Sequence, residues 1–373
     1  MGMKIYDSHW YVRFGLEPEQ AADILKAMGV TFVLASSKLL PMQDTAIESE
    51  VSAAERSRFA TLNDRTFRDA LAVRGIAYFS SILFGFDPKL LAAHPEMLPI
   101  DQHGRPEEKV DWYIGIPADR EINVQHKLSL LRPAVEALQP DGVHLGFIRW
   151  PGFWEIWLDD VKRNDMPDFC YGQQTLTRFC ADSGLDLPVG DPVKSASIIK
   201  AQHRETWKNW KCLEVVKTVA HVKSELRKSK SDLQIAINSL PFFLDDFDNA
   251  VEEVFGQSPT KLGEVAEVLE VMAYHQIMRR DVNWPGQIGS DVKRRSGRTT
   301  ICTIQGNPLY LEGMHANRGR STELPTEEFI QLVDSVQESE ADGVCVFTFT
   351  DFLGYRDTAD GRRRIDRLKN FRA

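Results

Sequence analysis

Cysteine is scarce and unpatterned in this chain of 373 residues. Cys170, Cys180, Cys212, Cys302 and Cys345 are odd in number, and no two of them form a Cys-x-x-Cys pair. Such spacing argues against a zinc site and against a disulfide framework, leaving free buried thiols as the expectation. Positive charge is also in short supply. Lys and Arg total 45 against 54 Asp and Glu, a formal net charge of −9, so the attraction that draws proteins to phosphate backbones is missing and nucleic acid is not an expected partner. No run of about 18 apolar residues occurs, so no membrane span is expected. The N-terminus passes from Met1-Gly2-Met3-Lys4 into Ile5-Tyr6-Asp7 without an apolar signal segment. The expected location is cytoplasmic, or periplasmic or secreted if a leader has been removed. No Gly-x-Gly-x-x-Gly follows the first predicted strand and no Walker-type loop is present, which removes the usual support for a nucleotide-binding open sheet. No cofactor is expected, and no low-complexity or Gly/Ser run marks a domain boundary.

What is present is an alternation. With 43% hydrophobic and 27% charged residues the chain can bury an ordinary core. Its β-rich runs fall at 4–12, 30–35, 76–83, 141–148, 233–240, 267–275, 299–304 and 342–349. Helical periods occupy 18–28, 64–74, 122–138, 173–182, 201–228 and 325–338, with shorter ones near Gly263 and Ile288. Gly29 and Gly75 stop the first two of these helices, and Asp64 is the expected N-cap of the second. Eight strands, each mostly followed by a helix, predict a single α/β domain over 1–373, a (β/α)8 TIM barrel with long loop insertions after strands 3 and 4, the second at about 149–192.

In such a barrel the chemistry collects at the C-terminal strand ends. Trp10, Trp112, Trp150, Trp154, Trp157 and Trp284 fall there or in loops, where indole faces suit the apolar face of a sugar ring. The other reading is that these rings pack the insertion onto the barrel rim. By the period-two rule Asp7 and His9 share one side of strand one with Ile5 and Tyr11 and should face the lumen. In strand four His144, Gly146 and Ile148 look inward while Val143, Leu145 and Phe147 meet the helices. Glu270, Met272 and Tyr274 share a face of strand six, with His275 just beyond. Asn238 ends strand five, Gln305 ends strand seven and Asp351 follows strand eight.

The run Asp141-Gly142-Val143-His144-Leu145-Gly146-Phe147-Ile148-Arg149-Trp150-Pro151 resembles the fourth-strand motif of the uncharacterised family 10 glycosylhydrolase-like barrels, roughly D-G-[IV]-x-L-D-x-[IV]-R-[WY]-P. Met272-Ala273-Tyr274-His275-Gln276 is similar to their sixth-strand M-[AS]-Y-H. His94-Pro95-Glu96, Asp101-Gln102-His103-Gly104-Arg105-Pro106 and Asn238-Ser239-Leu240-Pro241-Phe242 also fit. The resemblance runs from strand three to strand eight. It implies a barrel that binds or hydrolyses a carbohydrate, with an acid after Leu145 as a leading catalytic residue. This sequence has Gly146 at that place, which can neither donate a proton nor attack an anomeric carbon. A natural non-catalytic relative, a relocated acid and a deliberate substitution are the competing explanations.

Glycoside hydrolysis usually needs two carboxyl groups, about 5–5.5 Å apart for retention and about 6.5–9.5 Å for inversion. The candidates are Glu155 first, because Trp150, Trp154 and Trp157 could desolvate it and raise its pKa, then Asp351 and Asp7. For each the alternative is structural: a solvated or Arg-paired loop carboxylate, a turn or cap, and a backbone amide partner. Glu270 reads as a buried structural acid. His9, His144, Tyr274 and His275 are expected to donate to sugar hydroxyls, and Arg149 to orient a carboxylate or bind an acidic sugar. Trp10, Trp150, Trp154, Gly146, Asn238 and Gln305 complete the expected substrate-binding set. The leading expectation is a glycoside hydrolase-like protein acting on an oligo- or polysaccharide. The alternative is a barrel that binds sugar without turnover, and a third is a divalent-metal hydrolase built on Asp7, His9, His144 and His275, although the H-x-H typical of such a strand one is missing. No metal ligand set is assigned, and association into homo-oligomers is left open.

Overall fold

The computed structural model describes residues 1–40 and 52–371. Eight parallel strands close into a barrel in chain order: β1 (Gly2–Ile5), β2 (Phe32–Ala35), β3 (Ala77–Leu83), β4 (Gly142–Gly146), β5 (Gln234–Ser239), β6 (Val268–Met272), β7 (Thr299–Gln305) and β8 (Gly343–Phe347). Closure is made by β1 against β8, with Gly2 opposite Cys345 and Met3 opposite Val346. The principal helices between strands are α1 (Pro18–Ala27), α2 (Asp64–Val73), α3 (Glu121–Leu138), α4 (Arg204–Leu226), α5 (Pro259–Leu262), α6 (Trp284–Ser296), α7 (Thr326–Gln337) and α8 (Ala359–Lys369). The expected fold class is thus observed. Among the described residues no helix is long and apolar enough to cross a membrane.

Local chemistry sets the boundaries. Pro18 opens α1, where its missing N–H costs nothing, and the Gln20 side chain accepts from the Glu17 amide at 2.8 Å. Asn63, rather than Asp64, caps α2, its side chain accepting from the amides of Arg65 and Thr66. The Asp64 carboxylate instead accepts from the Lys38 amide at 2.8 Å. The helix near Ile288 proves to be the 13-residue α6, hidden from periodicity by its Pro, Gly and Ser content.

Two apolar layers follow from the period of two. Met3, Ile5, Val33, Val143, Leu145, Ile235, Ile237, Leu269, Val271, Cys302, Ile304, Val344 and Val346 face outward into the layer shared with the helices. Leu34, Phe79, Ala236, Val268, Ile301 and Cys345 fill the lower barrel. Glycines stand beside the aromatic rings of the lower barrel. A β-carbon on Gly2 would lie 2.1 Å from the Phe32 ring, and one on Gly142 would lie 2.3 Å from that of Phe79, so both positions must be glycine for the rings to enter.

Strand one corrects the sequence reading. It ends at Ile5, and because Ile5 packs outward the inward residues are Lys4 and Tyr6, the opposite parity from that expected for Asp7 and His9. The Asp7 carboxylate accepts from the His9 amide at 2.8 Å, turning the chain into a short helix, His9–Val12. Trp10 goes with it and stacks on Phe67, with ring centroids 4.4 Å apart, sealed under the rim.

Candidate functional site

Above the filled lower barrel, at the C-terminal ends of the strands, lies a cavity of about 660 Å³. Its floor is made by inward side chains of the strands. Glu270 of β6 is fully buried there, with Oε1 3.0 Å from Lys4 Nζ and Oε2 3.2 Å from His144 Nε2; it also accepts from the Asn238 amide nitrogen. His144 Nδ1 meets the Ser81 hydroxyl at 3.2 Å. Burial alone would raise the Glu270 carboxyl, but the Lys4 charge and the His144 contact outweigh it and bring the group down to about 2. His144 is held below its ordinary value by burial, against the pull of Glu270. The floor is therefore an anionic carboxylate compensated by one ammonium.

Aromatic rings form the walls: Tyr6, Phe86, Trp112, Phe147, Trp154, Tyr274, Tyr310 and Phe347. Phe147 reaches this wall because β4 stops at Gly146 and the next residue takes a left-handed φ of +57°, uncommon for a bulky side chain. The Phe147 amide donates to Asn238 Oδ1 at 3.3 Å and its carbonyl accepts from the Arg149 amide at 2.9 Å. That bend reverses the expected alternation, so Phe147 lines the cavity and Ile148 joins the outer core.

Glu155 sits on a 3-10 turn, Trp154–Ile156, in the insertion after β4. Among the described residues it is the one carboxylate that lines the cavity. Arg320 donates to its backbone carbonyl at 2.6 Å, and Trp112 Nε1 donates to Tyr310 Oη (3.2 Å), which donates to Glu155 Oε1 (3.4 Å). Its other oxygen is buried without a hydrogen-bond partner among the described residues. Burial pushes Glu155 up to about 7, against the opposing charge of Arg149. A carboxyl half-protonated near pH 7 can serve as a proton donor in neutral solution.

The remaining expected site residues are placed as follows. His144, Asn238, Tyr274 and Trp154 line the cavity with Glu155. Asp7 accepts from Thr350 Oγ1 at 2.7 Å in the turn after β1, and His9 Nδ1 stands 3.5 Å from the same carboxyl group. Asp351 forms a capping box with Thr348, the cap role weighed against catalysis. Neither acid lines the cavity. Gln305 accepts from the amides of Gln276 and Ile277, and His275 pairs with Glu328 at 2.7 Å; both hold the loop after β6 from behind. Trp150 is buried with its Nε1 donating to the Lys211 carbonyl at 2.9 Å. Trp157 packs on Phe247 and Phe255, and Trp284 is also sealed. Of the six loop indoles expected at the mouth only Trp112 and Trp154 reach it: Trp150 and Trp157 are buried in the core of the insertion, Trp10 packs on Phe67, and Trp284 is sealed at the start of α6.

Sequence reasoning did not select Tyr6, Phe86, Phe147, Tyr310, Phe347 or the cations Lys4, Lys89 and Lys109. The signal for Lys4 was available: a lysine between Met3 and Ile5 on a barrel strand must point inward if its apolar neighbours meet helices. Tyr310 lies in an irregular loop and carried no such signal. Among the described residues no group of three or more His, Cys, Asp or Glu is gathered to hold a metal ion, since His144 and His275 are spent on different carboxylates. The metal-hydrolase reading therefore finds no ligand set there.

At Gly146 the structure explains what replaces the expected acid. A β-carbon there would lie 2.9 Å from Asn238 Oδ1 and 3.3 Å from the Ile82 carbonyl oxygen, and Asn238 is pinned by Glu270 and the Phe147 amide. Gly146→Asp is expected to destabilise the fold by roughly 1–3 kcal/mol through overpacking, read as a lowered midpoint in urea unfolding. Behind the wall, burial pushes Glu107 up to about 8 although it accepts from the Gly115 amide at 2.8 Å. Between pH ~4.5 and ~8 the unfolded chain thus binds fewer protons at this group than the folded one, so its contribution is full below ~4.5 and is lost as pH rises through ~8. Glu107→Gln is expected to flatten the decline of stability over that window, measured by denaturant titration at pH 5, 7 and 9.

No protein-family model matches the chain, and no curated protein sequence does. Solved structures do. The glycoside hydrolase domain of PgaB (BpsB) from Bordetella bronchiseptica is similar over 94% of this chain and 92% of its own, at 15% identity and a TM-score of 0.65. The β-galactosidase from Rahnella sp. R3 is similar over 100% of this chain and 56% of its own, at 12% identity and a TM-score of 0.63. The catalytic domain of a β-amylase from Paenibacillus polymyxa is similar over 99% of this chain and 96% of its own, at 10% identity and a TM-score of 0.59. At such identities the likeness establishes a shared barrel fold. The chain spans little more than half the length of that β-galactosidase.

Proposed function

We propose that the chain is a glycoside hydrolase-like barrel that takes a saccharide into the aromatic cavity and uses Glu155 as its proton donor. The observation that carries this reading is Glu155 itself, a carboxyl raised to about 7 on the wall of an aromatic cavity at the C-terminal face of the barrel. Flat rings offer stacking surfaces for the C–H faces of a sugar, while Asn238, His144, Ser81 and Lys4 supply hydrogen bonds from the floor. The similar solved structures described as glycoside hydrolase, β-galactosidase and β-amylase support the reading, as does the resemblance to the family 10 glycosylhydrolase-like barrels.

A second reading, saccharide binding without hydrolysis, is favoured by one specific observation. Two-carboxylate hydrolysis needs a nucleophile or base opposite the acid; among the described residues no second carboxylate lines the cavity, and Glu270 in its floor is covered, paired with the Lys4 ammonium and in contact with His144. Incubating the protein with a panel of oligosaccharides, with calorimetric binding and product analysis run in parallel, separates the two. Release of reducing ends supports the first reading. Binding without release supports the second, and neither binding nor release removes both.

A further inference from the structure

The charge around the cavity is at odds with the charge of the chain. Overall the protein carries −9, yet the ionisable residues lining the cavity are Lys4, Lys89, Lys109, His144 and Glu155. Lys4 is balanced by Glu270 beneath it. Lys89 and Lys109 are exposed and come from separate stretches of the long connection after β3, so folding has gathered both at the cavity. Among the described residues no aspartate lines the cavity, and the one glutamate that does is buried and raised towards neutrality. His144 is held down by burial and adds no positive charge of its own.

A fourth cation stands behind the wall. The Arg149 guanidinium is buried, 4.7 Å from the ring centroid of Phe147 and 6.0 Å from that of Tyr113, and none of its three nitrogens has a hydrogen-bond partner among the described residues. Its charge acts on Glu107 and Glu155, which burial nonetheless raises to about 8 and about 7. A guanidinium kept inside a protein without a bonded carboxylate leaves a positive potential that low-dielectric surroundings screen poorly. Its charge is felt across the Phe147 ring in the cavity.

Resting on the saccharide reading above, we infer that the ligand of this cavity is an acidic saccharide, whose carboxylate or sulfate lies at the rim between Lys89 and Lys109 within the field of Arg149. Neutral sugars would gain the stacking but forgo this attraction. The affinity is expected to fall with ionic strength, because the two rim lysines are in water and are screened within about 10 Å at 0.1 M salt.

The test uses oligogalacturonides, alginate fragments and hyaluronan fragments, each beside its carboxyl-reduced form, and heparin fragments beside their desulfated form, in titration calorimetry on the intact protein. Two exposed ion pairs are each worth up to about 1 kcal/mol, so the acidic member of at least one pair is expected to bind roughly tenfold more tightly. Most of that preference should be lost in Lys89→Ala/Lys109→Ala, whose exposed positions are expected to leave folding unaffected, the remainder being the share of Arg149, and it should shrink in 0.5 M salt. Preference among the carboxylate pairs identifies a uronate, and preference in the heparin pair alone identifies a sulfate. Equal or tighter binding of the neutral members overturns the inference while leaving the saccharide reading intact. Binding of neither kind overturns both.

Discussion

Replacing Glu270 by alanine is expected to cost about 3–5 kcal/mol of folding stability, because it leaves the Lys4 ammonium buried without its counter-charge. The carboxylate touches Lys4, His144 and Asn238 from one fully buried position, so its loss unties three strands at once. A lowered midpoint in urea unfolding with an unchanged slope would be the signature. Two controls sharpen the result. Lys4→Met in the Glu270→Leu background removes the orphaned charge and should recover much of the loss. The pH dependence should also have a defined sign: this carboxyl lies near 2 in the folded state, below the roughly 4.5 of an unfolded glutamate. Its contribution is therefore present above about pH 4.5 and is lost as pH falls through about 2. An unchanged midpoint in Glu270→Ala would show that the floor of the cavity is not held by this ion pair.

Glu155→Gln is the second large effect. If Glu155 delivers the proton to a leaving-group oxygen, the amide should lower kcat by about 10²–10⁴-fold while KM changes little, since Gln keeps the shape and can still hydrogen-bond a hydroxyl. The wild-type rate should decline as pH rises past about 7, where Glu155 loses its proton, and the residual rate of the variant should lack that decline. A variant as fast as the wild type would remove Glu155 from the mechanism. Tyr310→Phe tests the setting of the same group, because Tyr310 donates to Glu155 Oε1 and helps its ionised form; without it the decline should move to higher pH.

The barrel was readable because its signals are local and repeated. Each apolar run bounded by Gly, Pro or a capping residue marks a strand or helix whatever its tertiary partners, and eight such units admit few closed arrangements. Side-chain direction at the strand ends was less readable. The first strand stops at Ile5, seven residues before its predicted end, and β4 stops at Gly146, two residues early; a shift of one residue exchanges inside for outside. Asp7 and His9 were lost to the rim in this way, and Phe147 was gained by the cavity. Tryptophan misled for a different reason. An insertion of some 40 residues needs a core of its own, and Trp150, Trp157, Trp207 and Trp210 supply it. Glu155 stood out by its aromatic surroundings, whereas its partners Trp112 and Tyr310 come from loops after β3 and β7, a pairing that only closure of the ring creates.

The tight fit between Gly146 and Asn238 limits what either position can hold. Placing an acid at 146 meets the Asn238 oxygen, while trimming Asn238 first deprives Glu270 and the Phe147 amide of a partner. Either change made alone is expected to lose stability, and the pair together is expected to lose less than the sum of the two. The two positions are thus coupled across neighbouring strands: a side chain at 146 is admitted only where residue 238 gives way.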